Sequence, residues 1–599
     1  MKPVIYQLVV RYFGNAAGDN VRDGTIDQNG CGKFDDITSK AITELRALGV
    51  THIWLTGVPR QATLTDRSDI GLPADPADVV KGRAGSFYAV RDYGDVCADY
   101  ATNPAQRMAE FRALVSRIHA AGLKVLIDWV PNHVSRSYSS ATPGLDFGAG
   151  DDQTQFFDPR NNFYYLVEPP ARALALTKPA HWNPPGVSFS GRFAPEDGSA
   201  GHTAKATGGD DYSRVTDTNV PEQLWYETIK LNYGYNFADG TTHYEPRPST
   251  WDKVDAVLAF WQSQGVDGFR CDFAHYVPAE AWAYVIGQAR RRDADAFFMA
   301  EAYPFSGSRD PVQSEEQLFG AGFDAVYHYR SYNALKRLYQ GAELDEYERE
   351  MGSLSDAQRP RFVEYLENHD ERRIPSPIVT GAGTGDSGFG SASASYQLAP
   401  LQLLYSQGPV LLLNGQEVGE PGAGASGFAG DNGRTTFFDY WRMPRFAEWV
   451  NGHAYDGGGL DAAGQALRRF YADLLALCQD PSICGASYWG LRYNNRSWSA
   501  PGCSDWLYAF ARYQPGSGRL AAVVANFDPN AATTASVRLP AELAASAGLR
   551  ASGDLQVRLV LDEGGKRTAA GVATTASALV GGGFRASVSR QACNVYVIE

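Results

Sequence analysis

The amino-acid sequence predicts an α/β fold: a (β/α)8 TIM barrel with a subdomain inserted after its third strand and an antiparallel β domain at the C-terminal end. Three observations lead to this prediction. Apolar strand-like runs alternate with amphipathic helix patterns, the alternation stops after the third strand and later resumes, and the last part of the chain contains only short strand patterns. With 599 residues, the chain is also too long for one simple domain.

Short apolar runs are predicted to form the barrel strands. Helical patterns follow several of them, such as Asp36–Leu48, which ends at Gly49, and Ala105–Ala121. Strands that alternate with helices form a parallel sheet, and eight of them close into a barrel. The eight predicted strands begin near Val4, Thr51, Lys124, Val266, Ala296, Phe323, Phe362 and Val410.

The alternation is interrupted between residues 134 and 250, a stretch rich in Gly, Pro, Asp, Asn and Tyr. A structureless loop of that length is implausible in a compact domain, so we predict an inserted subdomain over 134–250. The barrel then comprises residues 1–133 and 251–487. Short strand patterns such as Trp506–Tyr513 predict a C-terminal β-sandwich over 488–599.

Composition excludes several classes of function. A formal net charge of −14 makes nucleic acid an unfavourable partner, because its phosphates would be repelled. No apolar run is long enough to span a membrane, so no membrane partner is expected. The N-terminal residues do not resemble a signal peptide, which predicts a cytoplasmic location, or a secreted or periplasmic one if a leader has been removed. The sequence does not predict an oligomeric state.

Seven cysteines are spread along the chain, and they form no CxxC pair. A zinc site or a thioredoxin-type redox site is therefore not expected. Two local disulfides, Cys478–Cys484 and Cys484–Cys503, remain open as alternatives to free thiols.

Four predicted strands end in carboxylates, and the carboxyl ends of barrel strands lie on one face. Any single one of them is most simply a strand end or helix cap, but four on one rim indicate a catalytic site. Clustered carboxylates acting on an uncharged polyol are typical of glycosyl transfer: one attacks the anomeric carbon and another protonates the leaving oxygen. A third can hold sugar hydroxyls and raise the pKa of the second. The strand-end carboxylates are Asp128, Asp272, Glu301, Glu367 and Asp370.

These strand ends resemble the short motifs of the α-amylase family of glycoside hydrolases (family 13), in the family's order and along the whole chain. Asp128–His133 resembles the first region (D-x-V-x-N-H), and Gly268–Asp272 the second (G-x-R-x-D). Glu301 matches the third region, and Asn368–Asp370 the fourth (N-H-D). Lys230–Asn232, in the insertion, resembles the fifth region in the form of the neopullulanase and cyclomaltodextrinase branch.

The resemblance implies a retaining hydrolase that cleaves α-glucosidic bonds of α-glucans or maltooligosaccharides. Asp272 would be the nucleophile, Glu301 the general acid and base, and Asp370 the residue that stabilises the transition state. In a retaining enzyme, the carboxyl groups of Asp272 and Glu301 should lie about 5–5.5 Å apart. Arg270 lies two residues before Asp272, on the same face of the strand, and would keep that carboxylate ionised. A salt bridge that faces the helices is the alternative role for Arg270.

The resemblance also implies a set of substrate-binding residues, among which Tyr88 would stack under the sugar at the cleavage point. Asn132 is either a calcium ligand or a structural bridge between barrel and insertion; calcium would be structural, since the chemistry requires no cofactor. His275 and Tyr276 stand where many α-amylases have Lys-His, which alters the acceptor side of the cleft and removes one element of the calcium site. The residues matched to substrate binding are Tyr88, Asp92, His133, Arg270, His369, Asn368, His275 and Lys230.

Two further classes of function stay open. A transglycosylase, or a relative active on sucrose or trehalose, would use the same carboxylates with a sugar hydroxyl in place of water. A non-catalytic carbohydrate-binding relative is disfavoured because all three catalytic carboxylates are present. Aromatic residues crowd the insertion and form either its small core or platforms for sugars. They are Tyr212, Trp225, Tyr226, Tyr233, Tyr235, Phe237 and Tyr244.

Overall fold

Eight parallel strands form a closed barrel in the computed structural model, as the sequence predicts. The first strand pairs with the last, with Val4 opposite Val410, and this pairing closes the barrel. The strands are β1 (Val4–Val9), β2 (His52–Thr56), β3 (Lys124–Trp129), β4 (Gly268–Cys271), β5 (Phe297–Ala300), β6 (Ala325–Tyr327), β7 (Phe362–Tyr365) and β8 (Val410–Leu413). The structure describes residues 2–16, 18–167, 175–176, 178–196, 203–209, 219–220, 225–303, 312–381, 383–422, 427–499, 501–550, 554–568 and 570–599.

Helices follow the barrel strands and cover the outside of the barrel. The helix after β1 begins where the Thr38 side chain accepts a hydrogen bond from the Ala41 backbone, and it ends at Gly49, which has a left-handed conformation. Its buried face includes Ile42 and Leu45. The helices of seven residues or more are α1 (Ser39–Leu48), α2 (Arg107–Ala120), α3 (Ser249–Ser263), α4 (Ala279–Arg292), α5 (Glu315–Ala321), α6 (Tyr329–Tyr339), α7 (Leu344–Gly352), α8 (Ser395–Leu403), α9 (Pro444–Val450) and α10 (Ala462–Cys478).

The chain between β3 and α3 leaves the barrel, as predicted, and builds its own small core. Two short antiparallel strands, His133–Ser135 and Thr228–Lys230, pair with each other and connect the two ends of the insertion. A buried ion pair, Arg136 to Glu196 at 2.5 Å, adds a link inside it. The core of the insertion contains Tyr164, Leu166, Leu176, Trp182, Phe193, Ala204, Ala206, Tyr226 and Phe237.

The C-terminal part is an antiparallel β structure, which confirms the predicted class of this domain. The strands are β9 (Ser487–Gly490), β10 (Leu507–Tyr513), β11 (Leu520–Asn526), β12 (Thr533–Val537), β13 (Leu555–Asp562), β14 (Gly565–Lys566), β15 (Val572–Thr574), β16 (Phe584–Val588) and β17 (Cys593–Ile598). The main sheet has the order β9-β10-β11-β17-β13-β14, with β15 paired to β13, and β12 pairs with β16 in a second sheet.

The main C-terminal sheet is buried on both faces. Because side chains alternate along a strand, Phe510 and Val523 pack into the same core as the barrel. Their neighbours Ala509 and Ala522 face the other way, into a separate core shared with the second sheet. The barrel and the sheet are thus joined through a continuous apolar core.

The seven cysteines are all free thiols, so neither local disulfide that the sequence left open is formed. Six of them are buried, and Cys503 is partly exposed. Within the described residues, every helix is too short or too polar to cross a membrane.

Candidate active site

A cavity opens at the carboxyl ends of the barrel strands, where the sequence places the catalytic carboxylates. Asp272 follows β4, Glu301 follows β5 and Asp370 lies beyond β7, and the structure brings all three to this cavity. The residues that line it are Tyr88, Trp225, Asp272, Phe273, Glu301, Tyr303, Tyr329, Asp370, Glu371, Gly385 and Arg434.

The guanidinium of Arg270 connects the carboxylates beneath the cavity. Its Nη1 atom lies 2.8 Å from Asp272 Oδ1 and 3.1 Å from Asp128 Oδ1, and its Nη2 atom lies 2.8 Å from Glu301 Oε2. The Arg270 side chain is fully buried. Its partners all lie at the carboxyl ends of β3, β4 and β5, so Arg270 points into the barrel and not towards the surrounding helices.

The carboxylates at the cavity have different proton affinities. Burial and the neighbouring Glu301 carboxylate raise the pKa of Asp272 well above its ordinary value, although Arg270 opposes the shift. Burial also favours protonation of Asp370, but the charge and hydrogen bond of His369, together with Arg270, lower its pKa to about 2. Asp272 and Glu301 also share one cation, the guanidinium of Arg270. The sequence led us to expect that Arg270 would keep Asp272 ionised. Because the pKa of Asp272 is raised despite Arg270, this expectation is corrected: Arg270 alone does not determine the charge of Asp272.

Asp370 is held by its two sequence neighbours. His369 Nε2 lies 3.0 Å from Asp370 Oδ2, and the Asp370 backbone N–H donates to the side-chain oxygen of Asn368 at 2.9 Å. The Tyr88 ring stacks on the His369 ring at a centroid distance of 5.0 Å, and the two side chains hydrogen-bond at 2.5 Å. Gln7 Nε2 lies 2.9 Å from His369 Nδ1, and this contact fixes the orientation of the His369 ring.

Asn132 and Lys230 join the barrel to the insertion. The Lys230 ammonium donates to Asn132 Oδ1 at 2.6 Å, and Asn132 Nδ2 donates to the Gly208 carbonyl at 3.1 Å. A calcium ion requires six to eight oxygen ligands, and here the side-chain oxygen of Asn132 already accepts from a cation that would repel it. The residues around Asn132 therefore do not fit calcium, and their contacts are those of a structural bridge.

The remaining predicted binding residues take different positions. His133 lies next to the cavity wall, with its ring 5.3 Å from that of Trp225. His275 lies behind Glu301, where its Nδ1 atom is 3.4 Å from the Glu301 carbonyl oxygen. Burial lowers the pKa of both His133 and His275 to about 3, with Lys230 adding to the effect, so both rings are neutral at ordinary pH.

Asp92 does not reach the cavity, which corrects its predicted place in the site. It lies in the strand Val90–Val96 of a hairpin beside the barrel, and its Oδ1 atom accepts a hydrogen bond from the Gly94 backbone at 2.8 Å. The side chain is buried there. Asp92 therefore stabilises the local backbone of its own strand through this hydrogen bond.

Several residues at the cavity were not predicted. Phe273 has a left-handed backbone with φ of 43°, rare for a bulky residue, and its N–H donates to Glu301 Oε2 at 2.9 Å. The sequence contains position signals for three of these residues. Phe273 and Glu371 directly follow matched motifs, and Tyr329 lies just after β6. Arg434 follows a Gly-rich loop, and its approach to the cavity was not predicted.

The aromatic residues of the insertion divide between the two predicted roles. Trp225 lines the cavity, and its ring lies 6.1 Å from that of Tyr88. Tyr226 and Phe237 belong to the core of the insertion. Tyr233 is buried against the barrel core, Tyr235 and Tyr244 are partly buried, and Tyr212 lies outside the described residues.

Comparison with known proteins identifies relatives of this chain. Maltase 1 of Drosophila virilis is 24% identical over 275 residues, covering 46% of this chain and 32% of the relative. Alpha-amylase MalA of Haloarcula japonica is 24% identical over 429 residues, covering 70% and 44%. A segment of 112 residues is 31% identical to an alpha-1,4-glucan:maltose-1-phosphate maltosyltransferase of Mycobacterium tuberculosis, covering 19% and 14%. The matches thus span less than half the length of these relatives.

The fold is similar to that of solved structures. An α-amylase from Lactobacillus plantarum superimposes with a TM-score of 0.57 at 18% identity, covering 99% of this chain and 98% of the other. Residues 7–303 match the family model described as "Alpha amylase, catalytic domain". This matched region contains the end of β1, strands β2 to β5, the insertion, Asp272 and Glu301. Residues 7–303 of this chain thus belong to the α-amylase family.

Proposed function

We propose that this protein is a retaining glycoside hydrolase that cleaves α-glucosidic bonds in α-glucans or maltooligosaccharides. The observation that carries the proposal is the placement of Asp272 and Glu301 on one buried guanidinium beneath the cavity. Contact with one guanidinium holds the two carboxylates near each other, as the double displacement of a retaining enzyme requires. The names of the relatives, which include a maltase and an α-amylase, support an α-glucan as the substrate class.

In the first step, an oxygen of Asp272 attacks the anomeric carbon. Glu301 donates its proton to the glycosidic oxygen, so the bond to the leaving sugar breaks and a β-glycosyl ester of Asp272 forms. In the second step, the Glu301 carboxylate takes a proton from water, the water oxygen attacks the same carbon, and Asp272 is released. Two inversions retain the α configuration. The first step requires Asp272 to be ionised and Glu301 to be protonated when the substrate reacts.

Asp370, which also lines the cavity, assists both steps of this reaction. Its low pKa of about 2 keeps it ionised, so it can accept hydrogen bonds from sugar hydroxyls as positive charge develops on the ring. The stacked Tyr88 and His369 rings lie beside it, and Tyr88 lines the cavity as an apolar platform for the C–H face of the sugar.

A substrate panel read by product chromatography tests the proposal. The panel comprises maltose to maltoheptaose, cyclodextrins, pullulan, isomaltose and sucrose, each with the wild type and Asp272→Asn. The proposal expects at least one α-glucan to be cleaved by the wild type and a loss of at least about 10³-fold in Asp272→Asn. Equal and negligible release of reducing sugar by both proteins from every substrate would refute it.

A transglycosylase is the second candidate, because a short segment resembles a relative named as a maltosyltransferase. It shares the first step, after which a sugar hydroxyl and not water attacks the glycosyl ester. The same panel separates the two reactions, since maltooligosaccharides longer than the substrate appear only if a sugar is transferred.

We also propose that the junction of barrel and insertion does not use calcium. The support is the hydrogen bond between Lys230 and Asn132, in which a fixed ammonium lies against the oxygen that a metal ion would need. No step of the proposed reaction involves a metal.

A further inference from the structure

Three aromatic side chains on the C-terminal domain are exposed to solvent. They are Tyr493 (66% exposed), Trp498 (63%) and Trp506 (48%), and all lie in the loop between β9 and β10. The other large hydrophobic side chains exposed in the described part of the chain are aliphatic: Val21, Ile378, Val379 and Val572. This group of rings, called here the Trp498 surface, shares no residue with the cavity of the barrel.

The loop that carries the Trp498 surface is anchored at several points. The Ser497 backbone donates to Asp505 Oδ1 at 3.0 Å, which draws together the chain positions next to Trp498 and Trp506. The Tyr493 and Trp498 rings meet edge to face at a centroid distance of 5.5 Å. The loop backbone is therefore held in place, and its rings are presented without being buried.

Two arginines fix this loop to the barrel. Arg492 is buried, donates to the Asp505 carbonyl at 2.8 Å and pairs with Asp345 of α7 at 3.2 Å. Arg496 pairs with the other oxygen of Asp345 at 2.5 Å. A loop anchored in this way loses little conformational entropy when a ligand binds to it.

The surroundings of the rings indicate the chemistry of the ligand. The exposed side chains between and beside the rings are polar, namely Asn494, Ser497, Ser499 and Asp505. Apolar rings flanked by amide, hydroxyl and carboxylate groups suit a pyranose, whose C–H faces pack on rings while its hydroxyls form hydrogen bonds. A protein interface usually has a larger apolar core than these three rings supply.

We propose that the Trp498 surface is a second binding site for α-glucan chains, separate from the catalytic cavity. The choice of sugar rests on the proposed function, because a long α-glucan is the carbohydrate that the cavity would also engage. A chain held at two points on one protein binds more tightly than one held at either point alone. The site therefore increases the affinity for polymers and leaves short oligosaccharides unaffected.

Affinity electrophoresis of the full chain in gels containing amylopectin tests this proposal. The Asp272→Asn variant is used so that the polymer stays intact. Adding Trp498→Ala and Trp506→Ala should weaken the retardation by amylopectin about tenfold, whereas Trp498→Phe with Trp506→Phe, which keeps the rings, should retain most of it. Val572→Ala is the control for an exposed apolar residue outside the surface.

Hydrolysis assays and sedimentation separate the remaining outcomes. In the otherwise wild-type enzyme, the double alanine change should raise KM for amylopectin and leave kcat/KM for maltotriose within about twofold. Equal retardation of the proteins with and without Trp498 and Trp506 would overturn the proposal. So would a wild-type dimer that the double change dissociates, since the surface would then bind a second copy. Failure of every α-glucan to be hydrolysed would instead count against the proposed function, because the binding assay uses the inactive variant.

Discussion

The Nη1 atom of Arg270 lies 2.8 Å from the Oδ1 atom of Asp272, and both side chains are buried at the carboxyl ends of the barrel strands. The same guanidinium contacts Glu301 and Asp128, so three carboxylates share one positive charge. If all three were ionised, this cluster would carry a net charge of −2 in a buried environment. Retention of one proton by the cluster is therefore favourable, and a retaining glycosidase needs one proton for its acid step.

Replacing Arg270 tests this electrostatic role. We expect Arg270→Met to lower kcat/KM by about 10²–10³-fold, because the charge that organises the carboxylates is lost. Arg270 lowers the pKa of Asp272, so its removal should raise that pKa and move the acid limb of the pH–rate profile to higher pH. The profile of kcat/KM against pH measures the shift, and thermal unfolding checks that the variant is folded. An unmoved acid limb would contradict the role.

The low pKa of Asp370 predicts a pH-dependent contribution to stability. A folded-state pKa of about 2, below the unfolded value near 3.9, stabilises the protein above pH 4, and this contribution is lost as the pH falls towards 2. The difference in Tm between the wild type and Asp370→Asn should therefore shrink between pH 4 and pH 2. Calorimetry over this range measures it. A difference that stays constant with pH would show that Asp370 is not held in its ionised form.

The bridge between Lys230 and Asn132 predicts independence from calcium. Lys230→Met should lower the free energy of unfolding by about 2 kcal/mol, since a buried, charge-assisted hydrogen bond is lost. Dialysis against EDTA should leave the Tm of the wild type unchanged. Lys40→Met is the matched control, because its exposed pair with Glu44 contributes at most about 0.5 kcal/mol. A wild-type Tm that rises by several degrees on adding Ca²⁺ contradicts this account.

Trp225 is expected to act as a sugar platform. It reaches the cavity from the insertion and packs against Tyr88 and His133. Trp225→Ala should raise KM for maltotriose about tenfold and change kcat by less than about threefold, because apolar stacking contributes to ground-state and transition-state binding alike. Steady-state kinetics give both constants, with Trp498→Ala as the control. A loss confined to kcat would assign Trp225 to the chemical step.

The barrel could be predicted because its strands are short apolar runs separated by helix patterns. Helix α5 escaped prediction because it is only seven residues long, although its capping sequence from Ser314 to Gln317 is a start signal. In the C-terminal domain, β16 was missed because alternate residues of this strand are exposed and give no continuous apolar run.

The site was predictable to the extent that its residues lie at strand ends. The carboxylates were found because strand order fixes which side chains share a face. Trp225 was predicted only as one of seven aromatic residues with two possible roles, and Arg434 was not predicted, because both lie in long connections whose path in space does not follow from the sequence. Asp92 was misplaced because its nearness to Tyr88 in the sequence says nothing about the hairpin that turns it away.

The most direct test of the account is to trap the glycosyl-enzyme. Incubation with 5-fluoro-α-glucosyl fluoride, which slows the second step, followed by peptide mass spectrometry, locates the modified residue. The account predicts one added fluoroglucosyl group on the peptide that contains Asp272, and none on the Asp272→Asn variant. A label on a different carboxylate, or a β-anomer as the first product seen by NMR during hydrolysis, would contradict the assignment of Asp272 as the nucleophile of a retaining enzyme.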